Sequence, residues 1–277
     1  MKPAAQTETT RAVSISPVDR LKKLISTESV QAQFENAIAD NAALFTASLI
    51  DIYVSDKYLQ QCSPQSVVME ALKAATLRLP INKNLGFAYI VPYKRMATMQ
   101  IGYKGYLQLA QRTGQYRYIN ADVVYEGELV KADKLTGEID LSGEAKSEQV
   151  VGYFAHIETV TGFRKTLYWT REKVETHAGR FSKSYSSDKS SPWKTDFDAM
   201  AIKTVLRALL SKYGVMSVEI AAAIDVDSSD TKAFADAQAE AEEFGNKGEV
   251  IDISPEPEFT QKGPDGPPMP EEYGPDF

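Results

Sequence analysis

Between Ala71 and Ala121 the sequence holds no Asp or Glu, yet it carries Lys73, Arg78, Lys83, Lys94, Arg95, Lys104, Arg112 and Arg117. Phe87, Tyr89, Tyr93, Tyr103, Tyr106, Tyr116 and Tyr118 alternate with these bases. Cations that track a phosphate backbone, interleaved with rings on which bases stack, are the composition of a groove for single-stranded nucleic acid. The same residues admit a plainer reading, with the rings in the core and the bases on a solvated face.

Within this window Gly102-Tyr103-Lys104-Gly105 stands where a strand-like segment gives way to a helical one. Backbone N–H groups at that helix start are placed to face a phosphate, and glycine allows the backbone to come close. Lys104, Gln108, Gln111 and Arg112 then share one polar helix face, opposite Leu107 and Ala110.

A second basic group follows: Arg171, Lys173, Arg180, Lys183, Lys189 and Lys194, then Lys203 and Arg207 one helical turn apart. Its Ser- and Lys-rich stretch from Gly179 to Ser191 is either a flap that closes over bound nucleic acid or a mobile surface loop. The candidate contacts from both groups are Lys94, Arg95, Tyr103, Lys104, Gln108, Arg112, Arg117, Arg171, Lys173, Arg180, Lys183, Lys194, Lys203 and Arg207. Trp193, after Pro192, reads as a core anchor for the helix that follows it.

Catalysis finds less support. Glu175, Asp196 and Asp198 are the carboxylates that a Mg²⁺-dependent nuclease would use, but the most basic segment has none of its own. Asp196 and Lys203, seven residues apart on one helix face, suggest a salt-linked surface instead. His156 in a strand and His177 in a helix read as structural, or for His177 as a phosphate contact. No G-x-x-x-x-G-K-[ST] or G-x-G-x-x-G stretch occurs, which removes the usual sequence signs of an ATP-driven motor or a dinucleotide enzyme. Cys62 is the single cysteine, so no intramolecular disulfide or multi-cysteine zinc site is possible.

These side chains need a scaffold, and the patterning supplies one of α+β class. Ser16-Pro17 starts a first helix by capping and proline placement. Helices are expected around residues 30–38, from Ala42 to Val54, and from Ser63-Pro64 to Pro80. Strand-like segments, Gly86 to Pro92 and Met96 to Gly102, form a hairpin, and Tyr103 to Thr113 is helical up to Gly114. Strands follow at about Arg117 to Tyr125, Glu128 to Ala132 with Glu138 to Leu141, Val150 to Thr159 and Arg164 to Thr170. A short helix from Arg171 to Ala178, a long one from Trp193 to Tyr213, and a last one from Ser217 to Ile224 complete the body. The expected architecture is N-terminal helices, a central and mostly antiparallel sheet with packed helices, and a long C-terminal helix.

The charge is divided along the chain. The 277 residues sum to −7, which by itself argues against a nucleic-acid partner. Glu219 to Phe277, however, hold sixteen acidic residues against three lysines, which leaves the preceding body at +6. The organisation expected is a flexible 1–14, a functional domain over 15–224, and an acidic, Pro-rich, largely disordered 225–277. Within that tail a frayed Ala-rich helix is expected around Thr231 to Phe244. Met1 to Thr10 lack a signal-peptide core and no apolar run approaches the roughly 18 residues of a membrane span, so a cytoplasmic chain is expected.

Three motifs now stand in order: Gly86-Phe87-Ala88-Tyr89-Ile90-Val91-Pro92-Tyr93-Lys94; Ile101-Gly102-Tyr103-Lys104-Gly105-Tyr106 leading to Leu109-Ala110-Gln111-Arg112-Thr113-Gly114; and Pro192-Trp193-Lys194-Thr195-Asp196-Phe197 leading to Met200, Lys203-Thr204 and Arg207. Over residues of about 15 to 220 the chain resembles the RecT family of phage and prophage single-strand annealing proteins. The resemblance implies an ATP-independent recombinase that coats single-stranded DNA and anneals it to its complement through a duplex intermediate, as a ring or helical filament of subunits. It implies a cognate 5′-to-3′ exonuclease, a bacterial host cell, no cofactor with Mg²⁺ at most a modulator, and distant fold-level similarity to Red beta and Rad-type annealing proteins. Lys94, Lys104, Arg112, Lys194, Lys203 and Arg207 are carried over as groove residues. The tip Pro270-Glu271-Glu272-Tyr273-Gly274-Pro275-Asp276-Phe277 is similar to the acidic tips of bacterial single-strand-binding proteins. It would recruit such proteins or replication factors, compete with DNA for the groove, or only solubilise. A Mg²⁺-dependent nuclease and a passive single-strand-binding module remain the alternatives.

Overall fold

Ser16 Oγ accepts a hydrogen bond from the Asp19 backbone N–H, and Pro17 sits at the first helical position, so helix α1 (Pro17–Ile25) starts as the capping pattern requires. This computed structural model describes residues 16–93, 95–182, 185 and 191–228; the side chains of 226–228 are not described. Lys94, Lys183, the 1–14 segment, the helix expected around Thr231 to Phe244 and the acidic tip lie outside the described residues.

Helices α2 (Glu28–Ile38), α3 (Ala42–Ser55) and α4 (Pro64–Thr76) join α1 in an N-terminal lobe. Leu21, Phe34, Leu49, Tyr53, Val67 and Ala71 are its buried contacts. The run Glu28–Ser55 is long and apolar enough to cross a membrane by length and composition, contrary to the expectation that no such run exists. Its helix breaks at Ala39, where φ is 47°, and Phe34, Leu49, Ile52 and Tyr53 turn into the core.

Helix α4 ends before Pro80 because Arg78 adopts a left-handed φ of 53°. Arg78 N–H donates to Ala75 O and Leu79 N–H to Ala74 O, the paired closure that normally selects glycine. Strands β1 (Ala88–Tyr93) and β2 (Met96–Ile101) then pair in the expected hairpin, with Tyr93 opposite Met96 across a two-residue turn. The outer edge of β2 is covered by α4. Ala97 N–H donates to Ser66 Oγ and Met99 N–H to Glu70 Oε2, which satisfies edge donors with helix side chains.

Helix α5 (Tyr103–Arg112) follows at once and ends at Gly114, whose φ is +66°. Strands β3 (Tyr116–Tyr125), β6 (Val150–Thr159) and β7 (Arg164–Thr170) form an antiparallel sheet in the order β3-β6-β7, with a two-residue ribbon of β4 (Lys131–Ala132) and β5 (Ile139–Asp140) between β3 and β6 in sequence. The single central sheet expected from the patterning is therefore three separate antiparallel sheets. The hairpin belongs to α4, and the larger sheet belongs to the C-terminal helices.

Helix α6 (Arg171–Phe181) runs past Ala178, so Gly179 to Phe181 are helical rather than loop. The long helix expected from Trp193 is interrupted. A four-residue α7 (Pro192–Thr195) ends at Asp196, where φ is −150°, and α8 (Phe197–Tyr213) begins with Asp196 as its cap through the Ala199 N–H. Trp193 is buried edge-on against Tyr185 and Phe197 and anchors this corner, as the sequence suggested. Helix α8 is the spine of the molecule. Val205, Leu206, Leu209 and Leu210 are fully buried, and the helix touches α5, β3, β6 and β7. Helix α9 (Val218–Ser228) packs on α5, α8 and β2, and takes in Asp225, where the tail was expected to begin.

Candidate nucleic-acid interface

Two groups of bases were expected to converge, and the structure treats them differently. In the first, Lys104 and Arg95 stand exposed, Lys104 at the start of α5 and Arg95 at the hairpin turn. Neither carries an ion pair among the described residues. Arg112 is committed. Its guanidinium donates to Leu77 O and Arg78 O, both at 2.7 Å, and so caps the C-terminus of α4. Burial, then the neighbouring Arg78 charge, lowers its pKa, while Glu219 from α9 opposes the shift.

Arg117 is paired as well. Glu158, 5% exposed, accepts from Arg117 at 2.9 Å and, on its other oxygen, from Arg164 at 2.8 Å. Lys83 meets Asp56 at 2.8 Å and Lys73 meets Glu70 at 2.6 Å. A stretch without acids in sequence is thus neutralised in part by acids from elsewhere in the fold.

The glycines of the 102–105 turn serve packing, not an open phosphate cradle. A Cβ on Gly102 would strike Gly86 O, and one on Gly105 would strike Phe87 O. Gly102 N–H already donates to Phe87 O at 2.8 Å. The rings are divided between core and surface. Tyr106 is fully buried, and Tyr116 accepts from the Val215 N–H through its hydroxyl, whereas Tyr118 and Tyr93 are exposed. Tyr103 is half-buried, and burial followed by the Asp122 charge raises its pKa. Gln108 is half-buried, and its Oε1 has no hydrogen-bond partner among the described residues.

In the second group Arg171 is tied down by Glu175 at 3.2 Å and Asp198 at 3.8 Å, and lies over the Phe197 ring. Asp198 also accepts from the Tyr153 hydroxyl, whose pKa is pushed up by burial and then by that bond. Glu175, Asp198 and the capping Asp196 are therefore already bonded within the fold. No group of three or more potential metal ligands occurs among the described residues.

Lys194 sits over Tyr185 at 4.7 Å, and Lys203 and Arg207 are half-buried on α8, with Arg207 donating to Ile224 O. Lys173 and Arg180 flank a surface cleft of about 410 Å³ between the end of β7 and α6. His177 lies in its wall. Its pKa is lowered by burial first, then by the charges of Arg207, Lys173 and Arg180. His156 is structural, with Nδ1 2.8 Å from Thr166 Oγ1. The sequence reading missed Trp169 and Phe181, which complete the wall. The available signal was the spacing of Trp169, Lys173, His177 and Phe181 in steps of four across a strand-to-helix junction.

The model of the RecT family matches residues 43–243. An uncharacterised protein of Bacillus subtilis (strain 168), YqaK, is 48% identical over 236 residues, which is 85% of this chain and 80% of that protein. Protein RecT of Escherichia coli (strain K12) is 30% identical over 182 residues, which is 62% of this chain and 66% of that protein. The family match takes in both basic groups and every described element from β1 to α9. The chain belongs to the RecT family, whose members are DNA-annealing proteins of recombination rather than enzymes.

Proposed function

We propose that this chain binds single-stranded DNA and anneals complementary strands without nucleotide energy, acting as a homo-oligomeric ring or helical filament. Family membership supports the reading, and the observation that carries it is a surface cleft lined by Lys173 and Arg180 together with the rings of Trp169, His177 and Phe181. Two polyanions repel, and a groove of cations that holds both removes that barrier. Rings that stack bases leave pairing edges readable, so the sequence is read by Watson–Crick pairing. Pairing and stacking, roughly 1.4 kcal/mol per step, supply the free energy.

On this reading Lys104, Arg95, Lys94, Lys183, Lys194 and Lys203 contact phosphates, while Arg112, Arg117 and Arg171 hold the scaffold. A 5′-to-3′ exonuclease supplies the single strands in the cytoplasm of a bacterial host. The acidic C-terminal residues recruit host single-strand-binding or replication proteins, and the fold is related at a distance to Red beta and Rad-type annealing proteins. Fluorescence anisotropy with a single-stranded oligonucleotide tests the binding step. Affinity should fall linearly on a log–log plot against salt, and Lys104→Ala should reduce the slope by about 0.7 if one phosphate contact is lost. No binding at low salt contradicts the reading.

A further inference from the structure

Trp169, His177 and Phe181 line one surface cleft, with Trp169 packed against the core from its other side. The Trp169 and His177 ring centroids are 5.1 Å apart with their planes at 60°, those of His177 and Phe181 4.7 Å apart at 45°, and all three residues are half-buried. Regular elements hold them. Trp169 lies near the end of β7, Thr170 caps α6 by accepting from the Lys173 N–H, and one helical turn separates each of 173, 177 and 181. Such a surface is preorganised, so little ordering is needed on binding.

Cations already mark the ring faces. Lys173 Nζ is 4.6 Å from the Trp169 centroid and the Arg180 guanidinium 5.1 Å from that of Phe181. Exposed contacts of this kind are weak and are readily exchanged for a stacked ring and an anion. Among the described residues Glu172 is the one carboxylate lining the cleft, against these two lining cations. A ligand that suits such a lining is planar and aromatic at one end and anionic at the other.

We infer that the cleft between β7 and α6 is a nucleotide subsite, in which one base stacks on the Trp169 ring and its phosphates lie against Lys173 and Arg180. This assignment rests on the single-strand-binding reading and names the place where a base, not only the backbone, is held. His177 is kept neutral by its burial and by the charges of Arg207, Lys173 and Arg180, which suits a ring that lines the cleft and leaves the phosphate to the lysine and arginine.

The test uses the full chain and its own fluorescence. Of the two tryptophans Trp193 is 5% exposed, so a stacked base reports through Trp169. A homothymidine oligonucleotide should quench emission saturably, and Trp169→Phe should lose that quenching. Trp169→Leu should bind the oligonucleotide roughly ten-fold or more weakly, within the range for loss of one stacked base. Replacing the bases with abasic sites should weaken wild-type binding but widen no gap in Trp169→Leu. Thymidine monophosphate at equal base concentration separates the two sources of this chemistry. Quenching by the oligonucleotide alone supports a strand subsite, whereas equal quenching by the mononucleotide overturns it in favour of a free-nucleotide pocket. Binding without quenching overturns the subsite and leaves the annealing reading standing; absence of binding overturns both. The wild-type quenching decides the matter even if a variant does not fold.

Discussion

Arg112 shows how a base in a nucleic-acid-like context comes to do structural work. Its two 2.7 Å bonds close the carbonyl end of α4, beside an Arg78 held at a left-handed φ of 53°. Arg112→Ala should lower the unfolding free energy by about 1–2 kcal/mol, at the modest end for bonds from a charged group because the side chain is partly solvated. Urea denaturation measures this, and an unchanged midpoint would return Arg112 to the pool of DNA contacts. The chain's two histidines give a second test at this scale. Burial holds His156 and His177 below the ordinary 6.5, so the unfolded chain takes up protons that the folded chain refuses. Their contribution is therefore complete above about pH 6.5 and is lost as the pH falls below it. The melting temperature should drop between about pH 7 and pH 5, and His177→Phe should flatten that drop; an identical profile in the variant would show that His177 does not titrate there.

At the scale of elements, close approach of backbones decides the arrangement around the basic hairpin. Gly102 and Gly105 let the start of α5 lie against the Gly86–Phe87 segment, where a single methyl has no room. Gly102→Ala or Gly105→Ala should destabilise by about 1–3 kcal/mol or more, as overpacking does. Thermal melts check this, and wild-type stability in both would mean that the turn is open after all. The boundaries of α1, of the hairpin and of β6 and β7 were legible because proline, capping residues and alternation act locally. The break at Asp196 was not, since an aspartate at a helix start and one on a helix face look alike until the backbone is seen. The glycine turn was ambiguous for the same reason, because glycine admits close approach by a phosphate or by another strand. The division into three sheets was hidden, since pairing partners are a tertiary choice and local alternation does not name them.

For the whole molecule, charge distribution matters more than net charge. A sum of −7 conceals a basic body and an acidic C-terminal stretch. Within the body, pairing partners far away in sequence, such as Glu158 for Arg117 and Asp56 for Lys83, divide the bases into those that build the fold and those that face outward. No sequence window could have made that division. The central claim is that this fold lowers the barrier between complementary strands without an energy source. The most direct measurement is the pairing rate of two complementary oligonucleotides carrying a donor and an acceptor dye, with and without the purified chain, in the absence of ATP. The account predicts a rate that rises with protein concentration and is unaffected by added ATP; equal rates with and without the protein, or acceleration only when ATP is present, would contradict it.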